Sequence, residues 1–279
     1  MNILEFTGVI ALGSFVAGFL GSITGLGGGV VIVPLLALAL SVDIRYAIGA
    51  SLVSVIATSS GAAAAYVKEG FSNIRIGIFL EIATSAGALG GAFLATRLPV
   101  TIIGVIFGVV LLYSAYHAVS AKSEHAWSSQ SPDPLAARLK MDATYPGDHG
   151  LVPYYVHRVP AGFGLMAVAG ILSGLLGIGS GAVKVIAMDQ IMGIPFKVST
   201  ATSNFMIGVT AAASAGVYLS RGYIDPGLAM PVMLGVLTGS TLGARFLTTA
   251  RTPFLRKIFS GVISLLALEM IYNSLSGRL

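Results

Sequence analysis

Gly25-Leu26-Gly27-Gly28-Gly29 sits within a stretch, Phe6 to Val42, that contains no Asp, Glu, Lys or Arg. As a single helix those 37 residues would extend about 55 Å, almost twice the ~30 Å of hydrocarbon in a bilayer. The chain must therefore double back, and the glycine cluster is where an apolar helix would break. The sequence predicts a helical hairpin with arms over Leu12 to Thr24 and Val30 to Leu40 and a non-helical tip at Gly25 to Gly29. Backbone groups at such a tip find no partners in lipid, so they must be buried against protein or line a wet cavity.

The rest of the chain is built for the same solvent. Charged residues make up 10% of the 279, against roughly 25% in soluble proteins. A mean hydropathy of +0.89 goes beyond the needs of one water-soluble core. Ala47 to Val67, Leu98 to Ala121, Val159 to Val183 and Val198 to Ser220 are also free of acidic and basic residues. These runs are continuous rather than alternating, so membrane helices are expected and the strands of an outer-membrane barrel are not. In the first half the helices fall at about 47–67, 76–97 and 100–120. Met1 to Glu5 has no basic segment of a cleavable signal, so residue 1 is expected in the mature chain. The absence of cysteine excludes disulfides and thiol chemistry. The net charge of +5 comes without a basic cluster interleaved with aromatics, which argues against nucleic acid.

The chain also contains itself twice. At a constant offset of 152, Gly25, Gly27 and Gly29 fall on Gly177, Gly179 and Gly181, Ser51 on Ser203, Thr58 on Thr210 and Tyr66 on Tyr218, with 18 identities in the 81 positions from Val16 to Thr96. Each half reads as a glycine-broken hairpin followed by three helices. Residues 1–121 and 159–279 are the expected repeats, and 122–158 is a polar linker holding eight of the 27 charges, in which Leu151 to Val156 reads as a short strand. If each hairpin starts and ends on one side, Arg45, Arg97, Arg221 and Arg278 share one face and ten lysines and arginines share the other. Parallel halves would split the same residues eight against six. The positive-inside bias favours an all-α integral membrane protein of inverted repeats, with a cytoplasmic linker and both termini outside.

Paired broken helices point to a site between the halves. The amides of Gly27, Gly28 and Gly29, with those of Gly179, Ser180 and Gly181, are candidates to cradle an oxyanion; the competing reading is close helix packing. Lys184 stands three positions after Gly181 in an otherwise uncharged stretch, where an ammonium is costly and a functional candidate, unless it snorkels to an interface or pairs with Asp189. Its repeat mate is Ile32. Thr202, Ser203 and Asn204, with Ser51 in the other half, offer neutral donors, and one residue of the Thr200 to Asn204 cluster is expected to cap its helix. Glu81 is a candidate carrier of a coupling proton or a structural hydrogen-bond group. Arg245 and Glu269, also within apolar runs, have no matching charge in the other half. The four histidines, His117, His125, His149 and His157, show no metal-ligand spacing, and there is no Walker motif. No cofactor is expected.

Ser173-Gly-Leu-Leu-Gly-Ile-Gly-Ser-Gly-Ala-Val-Lys184 and Lys197-Val-Ser-Thr-Ala-Thr-Ser-Asn-Phe-Met-Ile-Gly-Val-Thr-Ala211, together with Gly25-Leu-Gly-Gly-Gly-Val, resemble the sulfite exporter TauE/SafE family of membrane permeases. Ser180 stands where that family often has another glycine. The resemblance implies a duplicated multi-pass carrier of the bacterial inner membrane for sulfite, sulfonates or related organosulfur anions. On that basis the chain is expected to be a secondary transporter that exports such an anion, with uptake of another organic anion and a passive anion channel as the alternatives. No nucleophile and base are paired for an enzyme, and the expected partners are the bilayer, a small anion and a coupling ion, proton or sodium. The oligomeric state is not readable.

Overall fold

The computed structural model describes residues 3–24, 28–68, 70–120, 133–147, 150–247 and 252–277. Gly25 to Gly27, the linker up to residue 132 and His149 lie outside them, as do the side chains of His117 and Arg245. In the first half α1 spans Ile3–Thr24, α2 Gly29–Pro34, α3 Ile44–Lys68, α4 Ile74–Ala95 and α5 Val100–Ser120. The linker adds α6, Pro134–Arg138, and an antiparallel hairpin of β1, Ala143–Gly147, and β2, Gly150–Tyr154. The second half is α7, Val159–Leu176, α8, Gly181–Ile186, α9, Phe196–Ser220, α10, Pro226–Leu247, and α11, Thr252–Leu275. Adding 152 to either end of α2, α3 or α4 gives the ends of α8, α9 or α10. The returning arm of each hairpin loosens after its short helix into one π-helical turn, Leu35–Ala39 and Ala187–Ile191.

Local chemistry explains the boundaries. The second hairpin breaks because Gly177, Gly179 and Ser180 have φ of 67, 68 and 43°, left-handed conformations that no α-helix continues through. At α4 the Asn73 side chain accepts from the Ile76 amide at 3.1 Å, a capping bond that starts the helix two residues before the predicted 76. α9 begins at Phe196 after Pro195, which makes no side-chain cap, so the expected cap from Thr200 to Asn204 is not the one used; those residues occupy the second turn. The Leu151 to Val156 strand is realised as β2, shifted toward the linker's turn and paired with β1.

The halves interlock by exchanging helices. α1 packs on α10, and equivalently α7 packs on α4. Along α1 and α10, Gly235, Gly239 and Gly243 lie against Ala11, Phe15 and Phe19 in rising order, so these helices run parallel. The approach is close enough that a Cβ on Gly239 would sit 2.0 Å from the Phe15 carbonyl oxygen, the small-residue packing of membrane helices. α5 and α11 run antiparallel, with Gly108 against Ala267 and Ser260 donating to the Ala115 carbonyl. α3 and α9 are antiparallel too: Gly49 meets Tyr223, just past the end of α9, while Ser59 donates to the Asn204 carbonyl near its start. Among the described residues four helices, α1, α4, α7 and α10, have stretches long and apolar enough to cross a membrane. Leu12, Ile82, Val168 and Leu234 on them point outward and are exposed, as suits hydrocarbon contact.

Candidate functional site

The two broken hairpins meet. Gly29, the first residue of α2, is so close to the other tip that a Cβ on it would lie 2.9 Å from the Gly177 carbonyl oxygen and 2.5 Å from Ser51 Oγ. Ser51 Oγ, on α3, donates to that same Gly177 carbonyl at 2.7 Å, so a first-half helix is tied to the second-half tip. Gly179 packs between Val55 of α3 and Ile207 of α9. Ser180 accepts a left-handed backbone, which costs a non-glycine residue about 1 to 3 kcal/mol, and its hydroxyl donates to the Ala169 carbonyl. Gly181 opens α8, and its carbonyl accepts from Ser203 Oγ at 3.4 Å. Gly28 has φ of −65° and its carbonyl accepts from Val31 and Ile32, so the described part of the first tip is the more regular. Gly27 lies outside the described residues.

Lys184 is fully buried, at 0% exposure, and so does not snorkel to an interface. Its Nζ donates to Thr210 Oγ1 at 2.5 Å, and Thr210 Oγ1 donates to Glu81 Oε1 at 2.7 Å. Ser85 Oγ donates to the same Oε1 at 2.7 Å, while Oε2 is buried without a partner. A buried ammonium is tolerated when an opposite charge stands near; here Glu81 of α4 provides it across one hydroxyl. Residues of three helices, α4, α8 and α9, therefore converge on a single charged cluster. Thr210 was not among the sequence candidates, although it matches Thr58 in the repeat and lies in the Lys197 to Ala211 stretch that carries the family resemblance.

The other candidates are divided between two places. Asn204 Nδ2 donates to the Thr200 carbonyl within α9, and Thr200 Oγ1 is buried without a partner. Thr202 Oγ1 instead accepts the Asn73 amide at 3.0 Å, at the linker side. Asn73, also missed from the sequence, joins the elements there: its side chain caps α4 and donates to the Met141 carbonyl and to Tyr154 Oη. Burial pushes the Tyr154 phenol above the ordinary tyrosine value, against the pull of the Asn73 bond, so Tyr154 accepts from Asn73 as a neutral phenol. Beside it a pocket of about 250 Å³ is lined by Ser72, Asn73, Arg75, Lys140, Asp142 and Tyr154, among others. Among the described residues no three His, Asp or Glu side chains gather as metal ligands.

Apolar helices of membrane length around a buried lysine and glutamate bridged by one hydroxyl are the build of a membrane protein, in which intramembrane ionisable groups mark substrate or ion pathways. The chain belongs to the sulfite exporter TauE/SafE family, whose sequence profile matches residues 10–270. It is 29% identical over 281 residues to the probable membrane transporter protein YunE of Bacillus subtilis, covering 98% of this chain and 99% of that protein. It is 26% identical over 242 residues to the probable membrane transporter protein YdhB of the same organism, covering 85% and 89%. A probable membrane transporter protein of Sinorhizobium sp., ORF9, is 23% identical over 270 residues, covering 97% and 93%. No solved structure matches the chain. The family and these relatives carry the names of membrane transporters, not of enzymes.

Proposed function

We propose that the protein is a secondary transporter that moves a small sulfur oxyanion, such as sulfite or a sulfonate, outward across the bacterial inner membrane. The observation that carries this reading is the fully buried Lys184, three residues after Gly181 opens α8 and seven past Gly177, where the two broken hairpins meet. An ammonium attracts an anion far more strongly there than in water. The backbone amides of Gly27, Gly28, Gly29, Gly179, Ser180 and Gly181 are the neutral donors that orient the anion without holding it too tightly to release, and Ser51, Ser203 and Asn204, with Thr202 more remotely, join them by turning from the carbonyls of Gly177, Gly181 and Thr200. The family name supports the sulfur oxyanion, and transport is coupled to an ion, proton or sodium, with Glu81 as its candidate site.

The repeats 1–121 and 159–279 stand in opposite orientations in this reading, with the 122–158 linker in the cytoplasm and both termini outside. It rests on the antiparallel runs of α3 against α9 and α5 against α11, and on the four-to-ten division of basic residues. Since the chain has no cysteine, Thr144→Cys and Ser276→Cys can be labelled singly, and they should react from opposite faces; reaction from one face would reverse the orientation claim.

Flux in proteoliposomes with sulfite, sulfate, taurine and sulfoacetate on either side tests the function. Sulfite or sulfoacetate should move, and Lys184→Met should abolish that movement. Flux indifferent to proton and sodium gradients would make the protein a passive channel, and inward-only coupled flux an uptake carrier.

A further inference from the structure

We infer that Glu81 is the counter-ion that Lys184 exchanges for its cargo, so that one proton accompanies each anion. The inference rests on the oxyanion reading above and specifies its coupling ion. With no cargo the cluster is neutral: Lys184 donates to the Thr210 hydroxyl and that hydroxyl donates to Glu81 Oε1. An anion arriving at the ammonium puts two negative charges beside one positive in a low-dielectric interior, where their repulsion is poorly screened. The balanced relief is proton uptake from water, carboxylate plus proton giving the neutral acid. Glu81 Oε2, the oxygen no group engages, is the atom that receives it.

Thr210 is built to survive the exchange. Its hydroxyl has a second acceptor, the Met206 carbonyl at 3.0 Å, to which it can turn when Glu81 loses its charge. The symmetry-related set of residues displays that turned state. Thr58, the repeat mate of Thr210, donates to the Ser54 carbonyl four residues back at 2.8 Å, and in that set Ile32 of α2 and Met233 of α10 stand where Lys184 and Glu81 stand around Thr210.

Among the described residues, the helices packed around Glu81 carry no second carboxylate; the nearest in the chain to Lys184, Asp189, lies in the π-helical turn Ala187–Ile191, which packs on α7, α8 and α9. α7 carries no titratable side chain; α9 carries only Lys197 and Tyr218, near its two ends; α8 carries only Lys184; and on α4 itself the other charge is Arg75 in the first turn. Sodium is disfavoured because the hydroxyls of Thr210 and Ser85 present their hydrogens, not their lone pairs, to the carboxylate. One consequence concerns direction. A divalent oxyanion moving with one proton keeps one net negative charge, which an inside-negative potential drives outward, whereas a monovalent one moves without net charge.

The test is calorimetric titration of the full-length protein in detergent with methanesulfonate, a permanently ionised monovalent anion, in two buffers of different ionisation heat. The wild type should take up about one proton per anion bound, Glu81→Gln none, and Glu81→Asp about one. Glu269→Gln, a change to the exposed carboxylate of α11, should match the wild type. In proteoliposomes, methanesulfonate flux should ignore the membrane potential in the wild type and follow it in Glu81→Gln, while sulfoacetate flux should follow it in both. Binding by the wild type without proton uptake, or unchanged uptake in Glu81→Gln, overturns the inference and leaves the transporter reading standing. Failure of the wild type to bind either anion overturns the oxyanion reading and the inference with it.

Discussion

The two halves share the boundaries of their short helix and of the two helices after it, yet differ at the positions that carry charge. α2 and α8, α3 and α9, and α4 and α10 begin and end at equivalent positions. Within them Ile32 stands opposite Lys184 and Met233 opposite Glu81, while Thr58 and Thr210 are identical. The charged cluster thus draws Glu81 from the first half and Lys184 and Thr210 from the second, while the symmetry-related set, Ile32 and Thr58 from the first half and Met233 from the second, is uncharged. The duplicated frame holds two hairpins against each other, and the charged cluster lies beside the second of them.

The comparison can be broken most sharply at Lys184. Lys184→Met leaves the Glu81 carboxylate buried without its cation, and removing one member of such a pair costs about 3 to 5 kcal/mol. The expected loss of thermal stability should be largely recovered in the double variant Lys184→Ile, Glu81→Met, which copies the uncharged symmetry-related pair Ile32 and Met233. Neither variant should transport. Recovery of transport in the double variant would strip the charges of any role in carriage.

Next in size is the contrast between adjacent tip glycines. Gly29→Ala drives a methyl into Ser51 Oγ, Val55 and the Gly177 carbonyl, an overpacking of about 1 to 3 kcal/mol, and should reduce flux. Gly28→Ala meets nothing closer than 3.4 Å and should change stability by about 0.5 kcal/mol or less. Equal effects in denaturant titration would show that the tips do not meet as closely as described.

Asn73→Ala removes the α4 cap and the ties to Met141 and Tyr154, for about 1 kcal/mol by the cap alone, with faster proteolysis of the linker hairpin as the added readout. The mildest change is Ser180→Gly. Relief of the left-handed backbone offsets the lost bond to the Ala169 carbonyl, so a melting temperature close to the wild type is expected.

Much of this was legible from residue order because membrane physics acts on short segments. The broken Phe6 to Val42 stretch, the repeat and the isolated Lys184 need only local length and charge. The partners of Lys184 were not legible, since Glu81 and Thr210 lie 129 positions apart and meet only because α4 packs beside α9. Thr202 and Ser203 were grouped as chain neighbours, but successive residues on a helix point about 100° apart. One hydroxyl consequently faces Asn73 and the next Gly181. The capping role was misplaced for a related reason: Pro195 starts α9 earlier than the first polar cluster suggests.

The exchange of outer helices sets a condition on biogenesis. Ala11 of α1 takes Gly235 of α10 as its neighbour, 224 positions later in the chain. At roughly 5 to 20 residues per second, α1 waits on the order of 11 to 45 seconds after synthesis for the surface it packs on. During that interval the small-residue crossing is open, and the insertion machinery or a lipid must cover it. Ribosomal pausing in the second half would prolong that exposure, and chains truncated before α10 should be cleared by membrane quality control.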